Sequence, residues 1–125
     1  MILLDTSALI ESLAGQRLAF SGLTRLLERG EMVGLCTIVL YEWLRGPRLP
    51  GELATQEALF PSDAALPFET ADARISAELY RSVSRARARE ADIAIAACAI
   101  RRDAELWTIN RADFADIPRL RLARP

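Results

Sequence analysis

The chain has 125 residues, of which 51% are hydrophobic and 26% are charged, and its formal net charge is −1. A chain of this length and composition forms one globular domain, which excludes disordered and collagen-like chains. It contains neither His nor Lys, so zinc hydrolases, Ser–His or Cys–His nucleophile systems and Schiff-base enzymes each lack a required residue type. Any catalysis must therefore be carried by carboxylates.

The apolar segments predict a cytoplasmic protein without a membrane span. The longest unbroken apolar run, Ile93 to Ile100, has eight residues, whereas a membrane-spanning helix needs about 20. Met1 to Leu4 are followed at once by Asp5, without the basic segment that opens a signal peptide. Cys36 and Cys98 lie in apolar runs without metal-ligand spacing, and we expect both to be buried and reduced.

The first half of the chain predicts two strands and three helices. Met1 to Leu4 is a short apolar strand, and Asp5-Thr6-Ser7 after it favours the start of a helix. Apolar residues continue at helical spacing from Leu18 to Gly30, a typical helix end. Met32 to Thr37 then predicts a second buried strand, and Ile38 to Leu44 predicts a helix that ends before a Gly- and Pro-rich stretch.

The second half of the chain predicts three helices and three short strands. The segment from Ala71 to about Ala86 is amphipathic, whereas Ala91 to Arg102 is apolar almost all round and is therefore expected to lie buried between layers. In chain order the elements are a helix over Glu52 to Phe60, a strand over Ala64 to Phe68, these two helices, a strand over Glu105 to Ile109, a turn or short helix over Asn110 to Phe114, and an edge strand over Leu120 to Leu122.

Alternation of strands and helices over residues 1–125 predicts a single α/β domain with three layers. We expect a mostly parallel central sheet of four to five strands, flanked by helices on both faces. In such sheets the functional crevice lies outside the carboxyl ends of the strands. The residues just past each strand are therefore the first candidates for a site.

Four oxygen-bearing side chains follow this rule or lie next to the core. Asp5 comes directly after the first strand and Asn110 directly after the Glu105 to Ile109 strand, so both are expected at the same edge. Glu42 lies on the helix after the second strand, and Asp92 in the first turn of the apolar helix. Carboxylates crowded together repel one another unless a cation lies between them. Because the set lacks His and Cys, Mg²⁺ or Mn²⁺ is the expected ion.

Each of these residues also has an ordinary structural explanation, which the sequence leaves open. Side chains of these types cap helices, stabilise helix N-termini, occupy solvated helix positions or form turns. The alternatives are capping by Asp5, Thr6 or Ser7, a helix-dipole contact for Asp92, solvent exposure for Glu42, and turn formation by Asn110 and Asp113.

All 16 basic residues are Arg, and most lie in the second half of the chain. Arg is suited to bidentate contacts with phosphates, so this half is a candidate surface for a polyanion. A solvated helix face explains the same pattern equally well. The clustered residues are Arg81, Arg85, Arg87, Arg89, Arg101, Arg102, Arg111, Arg119, Arg121 and Arg124.

Four short motifs together resemble the PIN domain, and in particular the small endoribonuclease toxins of the VapC kind from type II toxin–antitoxin modules. The resemblance covers essentially the whole chain, with the motifs in the family's order. They are Met1-Ile2-Leu3-Leu4-Asp5-Thr6-Ser7, Tyr41-Glu42-Trp43-Leu44-Arg45-Gly46, Ala91-Asp92-Ile93-Ala94-Ile95-Ala96-Ala97-Cys98-Ala99 and Leu106-Trp107-Thr108-Ile109-Asn110-Arg111-Ala112-Asp113-Phe114.

This resemblance implies a metal-dependent ribonuclease. Asp5, Glu42 and Asp92 would hold Mg²⁺ or Mn²⁺, and Asn110 or Asp113 would complete the site. It implies that a hydroxyl of the Thr6-Ser7 pair orients a carboxylate or the attacking water. It further implies RNA as substrate, a small antitoxin protein as partner, and a homodimer or a toxin–antitoxin hetero-oligomer.

Two other functions are considered beside the ribonuclease. Asn110 is neutral where the family's fourth acidic residue is expected, which keeps open a catalytically impaired PIN-like module that binds RNA or a partner. A receiver-like signalling domain also has an acidic pocket at its strand ends. Receivers resemble one another in an essential Lys, and this chain has none.

Overall fold

The chain combines strands and helices, as the apolar pattern predicts, but two helices separate the first two strands and four helices separate the second strand from the third. The computed structural model describes residues 1–125. In chain order the elements are β1 (Ile2–Leu4), α1 (Thr6–Leu13), α2 (Phe20–Glu28), β2 (Val33–Gly34), α3 (Thr37–Arg45), α4 (Pro50–Leu59), α5 (Thr70–Ser82), α6 (Glu90–Arg101) and β3 (Glu105–Trp107), with 3₁₀ turns at Ser62–Ala64, Ala86–Arg89 and Arg111–Asp113.

β1 is the central strand of a parallel sheet in the order β2-β1-β3. Ile2 pairs with Val33 on one side and with Glu105 on the other, and the register continues to Leu4 opposite Trp107. All three residues of β1 are buried, as expected for an apolar strand covered on both faces. Because the strands are parallel, β1 and β3 end at the same edge of the sheet.

The expected sheet of four to five strands is wrong, since only three strands form. The segments predicted as strands over Ala64 to Phe68 and over Leu120 to Leu122 form only one isolated parallel bridge each. These bridges join Leu66 to Cys36 and Leu122 to Leu106. Leu66 donates to the Leu35 carbonyl and accepts from Thr37, but Pro67 after it has no N–H and cannot extend the pairing. These segments therefore add single bridges at the two edges of the sheet.

β3 ends two residues earlier than the apolar pattern predicts. The expected strand reaches Ile109, whereas the observed one ends at Trp107. The backbone N–H of Ile109 donates to the Ser7 hydroxyl at 3.1 Å, and that of Asn110 donates to the Thr108 hydroxyl at 3.0 Å. Side-chain hydroxyls thus replace the carbonyls of a neighbouring strand, and the chain turns away from the sheet.

The apolar helix α6 lies in the core, as predicted. Ile93 and five consecutive residues, Ile95 to Ala99, are buried, and α6 packs against α5, α3 and β3. The small side chains of this run allow other elements to approach the helix on most of its surface. Cys36 and Cys98 are both buried and free, as expected. None of the helices has the length and apolar character needed to cross a bilayer.

A buried ion cluster ties the outer helix α5 to the end of α6. Asp72 of α5 has no exposed surface, and its carboxylate accepts hydrogen bonds from Arg101 Nε at 2.6 Å and Arg102 Nη1 at 3.1 Å. The backbone N–H of Glu69 donates to the same carboxylate at 2.8 Å. The side chains of Arg101 and Arg102 are therefore engaged in the fold and are not free for a polyanion.

Candidate active site

The candidate site lies at the edge of the sheet where β1 and β3 end. Asp5 follows β1 directly, and its backbone N–H donates to the Trp107 carbonyl of β3 at 2.8 Å. Thr108 follows β3 directly. The topology therefore brings together two polar residues that are 103 positions apart in the sequence.

Two hydroxyls hold the carboxylate of Asp5. Ser7 Oγ and Thr108 Oγ1 each donate to Asp5 Oδ2 at 2.8 Å, while Oδ1 accepts no hydrogen bond from the protein. Asp5 is 4% exposed. It is the residue before α1, yet its side chain makes no capping hydrogen bond. The capping explanation is therefore wrong for Asp5, whose carboxylate is fixed with one oxygen free.

Thr108 belongs to this network, although the strand pattern did not predict it as a site residue. Its hydroxyl lies 3.2 Å from that of Ser7, so the two donors to Asp5 Oδ2 are themselves in contact. The position directly after β3 is the signal that would have found it. Because the strand was predicted to reach Ile109, the rule of the first polar residue past a strand selected Asn110.

Glu42 is held from two sides on α3. Thr6 Oγ1 donates to Glu42 Oε1 at 2.6 Å, and Arg45 Nη2 lies 3.3 Å from Oε2. The Glu42 side chain is only 16% exposed, whereas that of Arg45 is 57% exposed. The explanation of Glu42 as an ordinary solvated helix position is therefore wrong. Thr6 and Ser7, adjacent in α1, bind different carboxylates.

Asp92, in the first turn of α6, faces a concentration of negative charge. Partial burial raises the pKa of its carboxyl group to about 6, and the charges of Asp5, Asp113 and Glu42 contribute to the same shift. The positive charge of Arg89 acts in the opposite direction. Four carboxylates are therefore close enough for their charges to interact, which is the situation that a bound cation would relieve.

Asn110 and Asp113 have different surroundings. Asn110 precedes the 3₁₀ turn Arg111–Asp113, and its carbonyl accepts a hydrogen bond from the backbone of Asp113 at 3.0 Å. Its side chain makes no hydrogen bond within the chain. Asp113 is exposed and lines an open pocket together with Asp92. The charge of Asp113 therefore acts on Asp92, although Asn110 is closer to the end of β3.

The carboxylates are not arranged as a complete metal cage. No group of three or more acidic side chains is positioned to hold a metal ion together. The donors are nevertheless all oxygen, as Mg²⁺ and Mn²⁺ prefer, and burial together with the charges of three neighbouring carboxylates raises the pKa of Asp92. The chemistry of the residues thus fits a hard divalent cation.

A parallel α/β domain with an acidic crevice at the strand ends is the class of protein that this fold and site define. The PIN domain family model matches residues 2–120. The chain belongs to the PIN domain family, as the motifs predicted.

Relatives and solved structures agree with this membership. Ribonuclease VapC19 of Mycobacterium tuberculosis is 38% identical over 124 residues, covering 96% of this chain and 97% of the relative. A toxin–antitoxin complex from Klebsiella pneumoniae includes a chain with 26% identity and a TM-score of 0.73, covering 96% of this chain and 95% of that one. DNA-bound VapBC from Salmonella typhimurium matches with a TM-score of 0.77 at 22% identity, covering 98% and 96% of the two chains, which speaks for the fold alone.

Proposed function

We propose that this protein is a metal-dependent endoribonuclease and the toxin of a type II toxin–antitoxin module. The observation that carries the proposal is that Asp92, in a PIN domain, lies within electrostatic reach of Asp5, Glu42 and Asp113. The 38% identity to a protein named as a ribonuclease, over almost the whole of both chains, supports the same activity.

Asp5, Glu42 and Asp92 are the residues that would hold Mg²⁺ or Mn²⁺, with Asp113 or Asn110 completing the site. When bound, such an ion supplies a water of lowered pKa and offsets the charge that builds on a phosphate during in-line displacement. The exposed contact between Glu42 and Arg45 is worth less than about 1 kcal/mol. Glu42 Oε2 can therefore be released from Arg45 at little cost.

The chain's own residues fix the carboxylates before substrate arrives. Ser7 and Thr108 orient Asp5 through Oδ2, which leaves Oδ1 without a hydrogen bond in the chain. Thr6 orients Glu42 through Oε1 in the same way. Because each carboxylate has one oxygen held by a hydroxyl, little reorganisation is needed when substrate binds, and such preorganisation favours catalysis.

The proposed partner is a small antitoxin protein that blocks the crevice, in an assembly built on a homodimer or a toxin–antitoxin hetero-oligomer. The related solved structures are named as toxin–antitoxin complexes, which supports a partner of this kind. The proposed substrate, cellular RNA, implies a protein of the cytoplasm.

Cleavage of RNA by the purified protein, freed of any partner, tests the proposal. We expect cleavage of a panel of cellular RNAs in Mg²⁺ or Mn²⁺ and none in EDTA. Asp5→Asn should abolish cleavage, because it removes the negative charge of a buried carboxylate at the strand ends. Asp103→Asn is the matched control, since the Asp103 side chain is 95% exposed and contacts only Arg121.

Three outcomes would contradict the proposal. Equal survival of every RNA with and without metal would exclude the enzyme, and RNA binding without cleavage would favour the impaired, binding-only module that Asn110 keeps open. Equal loss of activity in Asp5→Asn and Asp103→Asn would remove the acidic crevice as the site of cleavage.

A further inference from the structure

An open pocket of about 350 Å³ lies beside Asp92. Its walls come from four residues between 84 and 89, from Asp92 itself and from three residues between 112 and 116. Small-molecule sites in proteins measure roughly 300–1,000 Å³, so this pocket is at the lower end of that range. The other main cavity, of about 240 Å³, is lined mostly by apolar residues around Val33 and Phe60 and contains no acidic side chain.

The pocket is built around a single guanidinium. Arg89 forms a bidentate ion pair with Asp116, with Nη2 at 2.6 Å from Oδ1 and Nη1 at 2.9 Å from Oδ2. The same guanidinium donates to the carbonyls of Ser84 at 3.0 Å and Asp113 at 2.9 Å. One side chain thus joins the segment before α6 to the segment after β3. The two walls are held at a fixed separation before any ligand is present.

We propose that this pocket binds the base of one nucleotide of the RNA, next to the phosphate that is cut, and that Ala88 and Ala112 keep it open for that base. The proposal rests on the ribonuclease function proposed above. Asp92 belongs both to the pocket and to the acidic crevice, so a base held here has its phosphate near the carboxylates.

The charges in the pocket favour a base over a phosphate. Arg89 is paired with Asp116 and Asp92 belongs to the proposed metal site, which leaves Asp113 and Arg85 as the unpaired charges of the pocket. Carboxylate oxygens accept hydrogen bonds from the amino groups of guanine, adenine or cytosine, whereas uracil carries no amino group. The Asp113 carboxylate makes no hydrogen bond within the chain, and it is free to accept one from a base when Asn110 completes the metal site. We therefore expect an amino-bearing base to be preferred over uracil.

Arg85 lies on the pocket wall in a position suited to the phosphate of the same nucleotide. Its backbone is left-handed, with φ of 50°, and its side chain is exposed and makes no ion pair within the chain. A free guanidinium binds phosphate oxygens in a bidentate manner. The pocket and Arg85 together can therefore bind a base and its own phosphate.

Ala88 and Ala112 line the pocket and are both exposed to solvent. A leucine at either position would occupy the space of a base without touching the core. A larger side chain there changes the pocket and leaves Asp5, Glu42 and Asp92 in place. These two alanines are therefore the positions that separate base recognition from cleavage chemistry.

The test compares cleavage preferences on an RNA pool randomised in sequence. Wild-type protein with Mn²⁺ should enrich guanine, adenine or cytosine over uracil at one position beside the cut. Ala112→Leu and Ala88→Leu should lose that preference at that position alone, and should raise KM for the preferred sequence by about tenfold while kcat changes less. Ala77→Leu, at an exposed position of α5 outside the pocket, is the matched control and should behave as wild type.

A second measurement uses wild-type protein and an RNA with an abasic residue at the preferred position. Removal of the base should raise KM by about tenfold for wild type and should have little further effect for Ala112→Leu. If wild-type protein cuts RNA without a base preference and tolerates the abasic residue, the proposed base pocket is wrong, whereas the proposed ribonuclease function stands. A wild type that cuts no RNA would overturn the ribonuclease and the pocket with it.

Discussion

Asp92→Asn is expected to make the metal-free protein more stable, although it removes a charged residue from the first turn of a helix. The carboxyl group is partly buried beside Asp5, Glu42 and Asp113, and its pKa rises from the ordinary 3.8 to about 6. The folded state therefore resists ionisation of this group. An amide of the same shape carries no charge and avoids that cost.

The sign and the pH range follow from proton linkage. Between pH 4 and 6 the folded protein holds the Asp92 proton more tightly than the unfolded chain does, so wild-type stability falls as pH rises through this range. A pKa change from 3.8 to about 6 corresponds to roughly 3 kcal/mol. Since Asp92 is only partly buried, solvent screening reduces this to about 1–2 kcal/mol. Asp92→Asn should not lose this stability as the pH rises.

The assay is urea unfolding in EDTA at several values between pH 4 and pH 8. Asp92→Asn and wild type should have nearly equal free energies of unfolding at pH 4, and the variant should be about 1–2 kcal/mol more stable at pH 7. Because the chain contains no His, few other groups titrate between pH 5 and 7, and the comparison is clear in that range. Mg²⁺ at pH 7 should narrow the gap by binding the folded wild type.

A helix-dipole role for Asp92 gives the opposite result. Negative charge at a helix N-terminus stabilises it by about 0.3–1 kcal/mol, so Asp92→Asn would then be the less stable protein at pH 7. A variant less stable than wild type at pH 7, or a difference that does not change with pH, would refute the argument from crowded carboxylates.

Three further predictions concern individual side chains. Asp113→Asn should lower the cleavage rate at limiting metal, and raised Mn²⁺ should partly restore that rate. Asn110→Asp should be tolerated or should tighten metal binding. The reverse pattern in a metal titration would show that Asn110, and not Asp113, completes the metal site. Thr108→Val removes a hydroxyl that orients Asp5, and should lower kcat by about tenfold while the far-ultraviolet circular dichroism is unchanged; wild-type kcat would show that Ser7 suffices. Asp72→Asn leaves two Arg side chains without their buried partner and should lower the free energy of unfolding, measured by urea titration, by about 3 kcal/mol. A loss of less than about 1 kcal/mol would contradict this prediction.

Local patterns in the sequence were sufficient for the α/β class of the fold and for the position of Asp5. A run of apolar residues as short as Ile2–Leu4 forms a strand only if it is covered on both faces, and an acidic residue directly after it has to lie at the sheet edge. The buried helix α6 was equally clear, since apolar residues nearly all round a helix of this length leave no face for solvent. These features depend on the periodicity of neighbouring residues.

The number of strands and the exact ends of β3 were decided by contacts between distant segments. Leu66 and Leu122 have suitable side chains for a strand, but each pairs at one residue only. The end of β3 depends on hydroxyls of Ser7 and Thr108 that take backbone N–H groups away from a strand partner. Apolar spacing carries no information about such a competition.

The sequence by itself therefore determined the class of fold, the family and the types of residue available for chemistry. Short local motifs indicate the fold class and the family, and the absence of His and Lys limits the chemistry. Only the tertiary structure decided that Thr108 holds Asp5 across 103 residues, and that Arg89 pairs with Asp116 to build a pocket. Hydrogen bonds and ion pairs between residues far apart in the chain depend on side-chain positions that the complete fold fixes, and no local propensity specifies them.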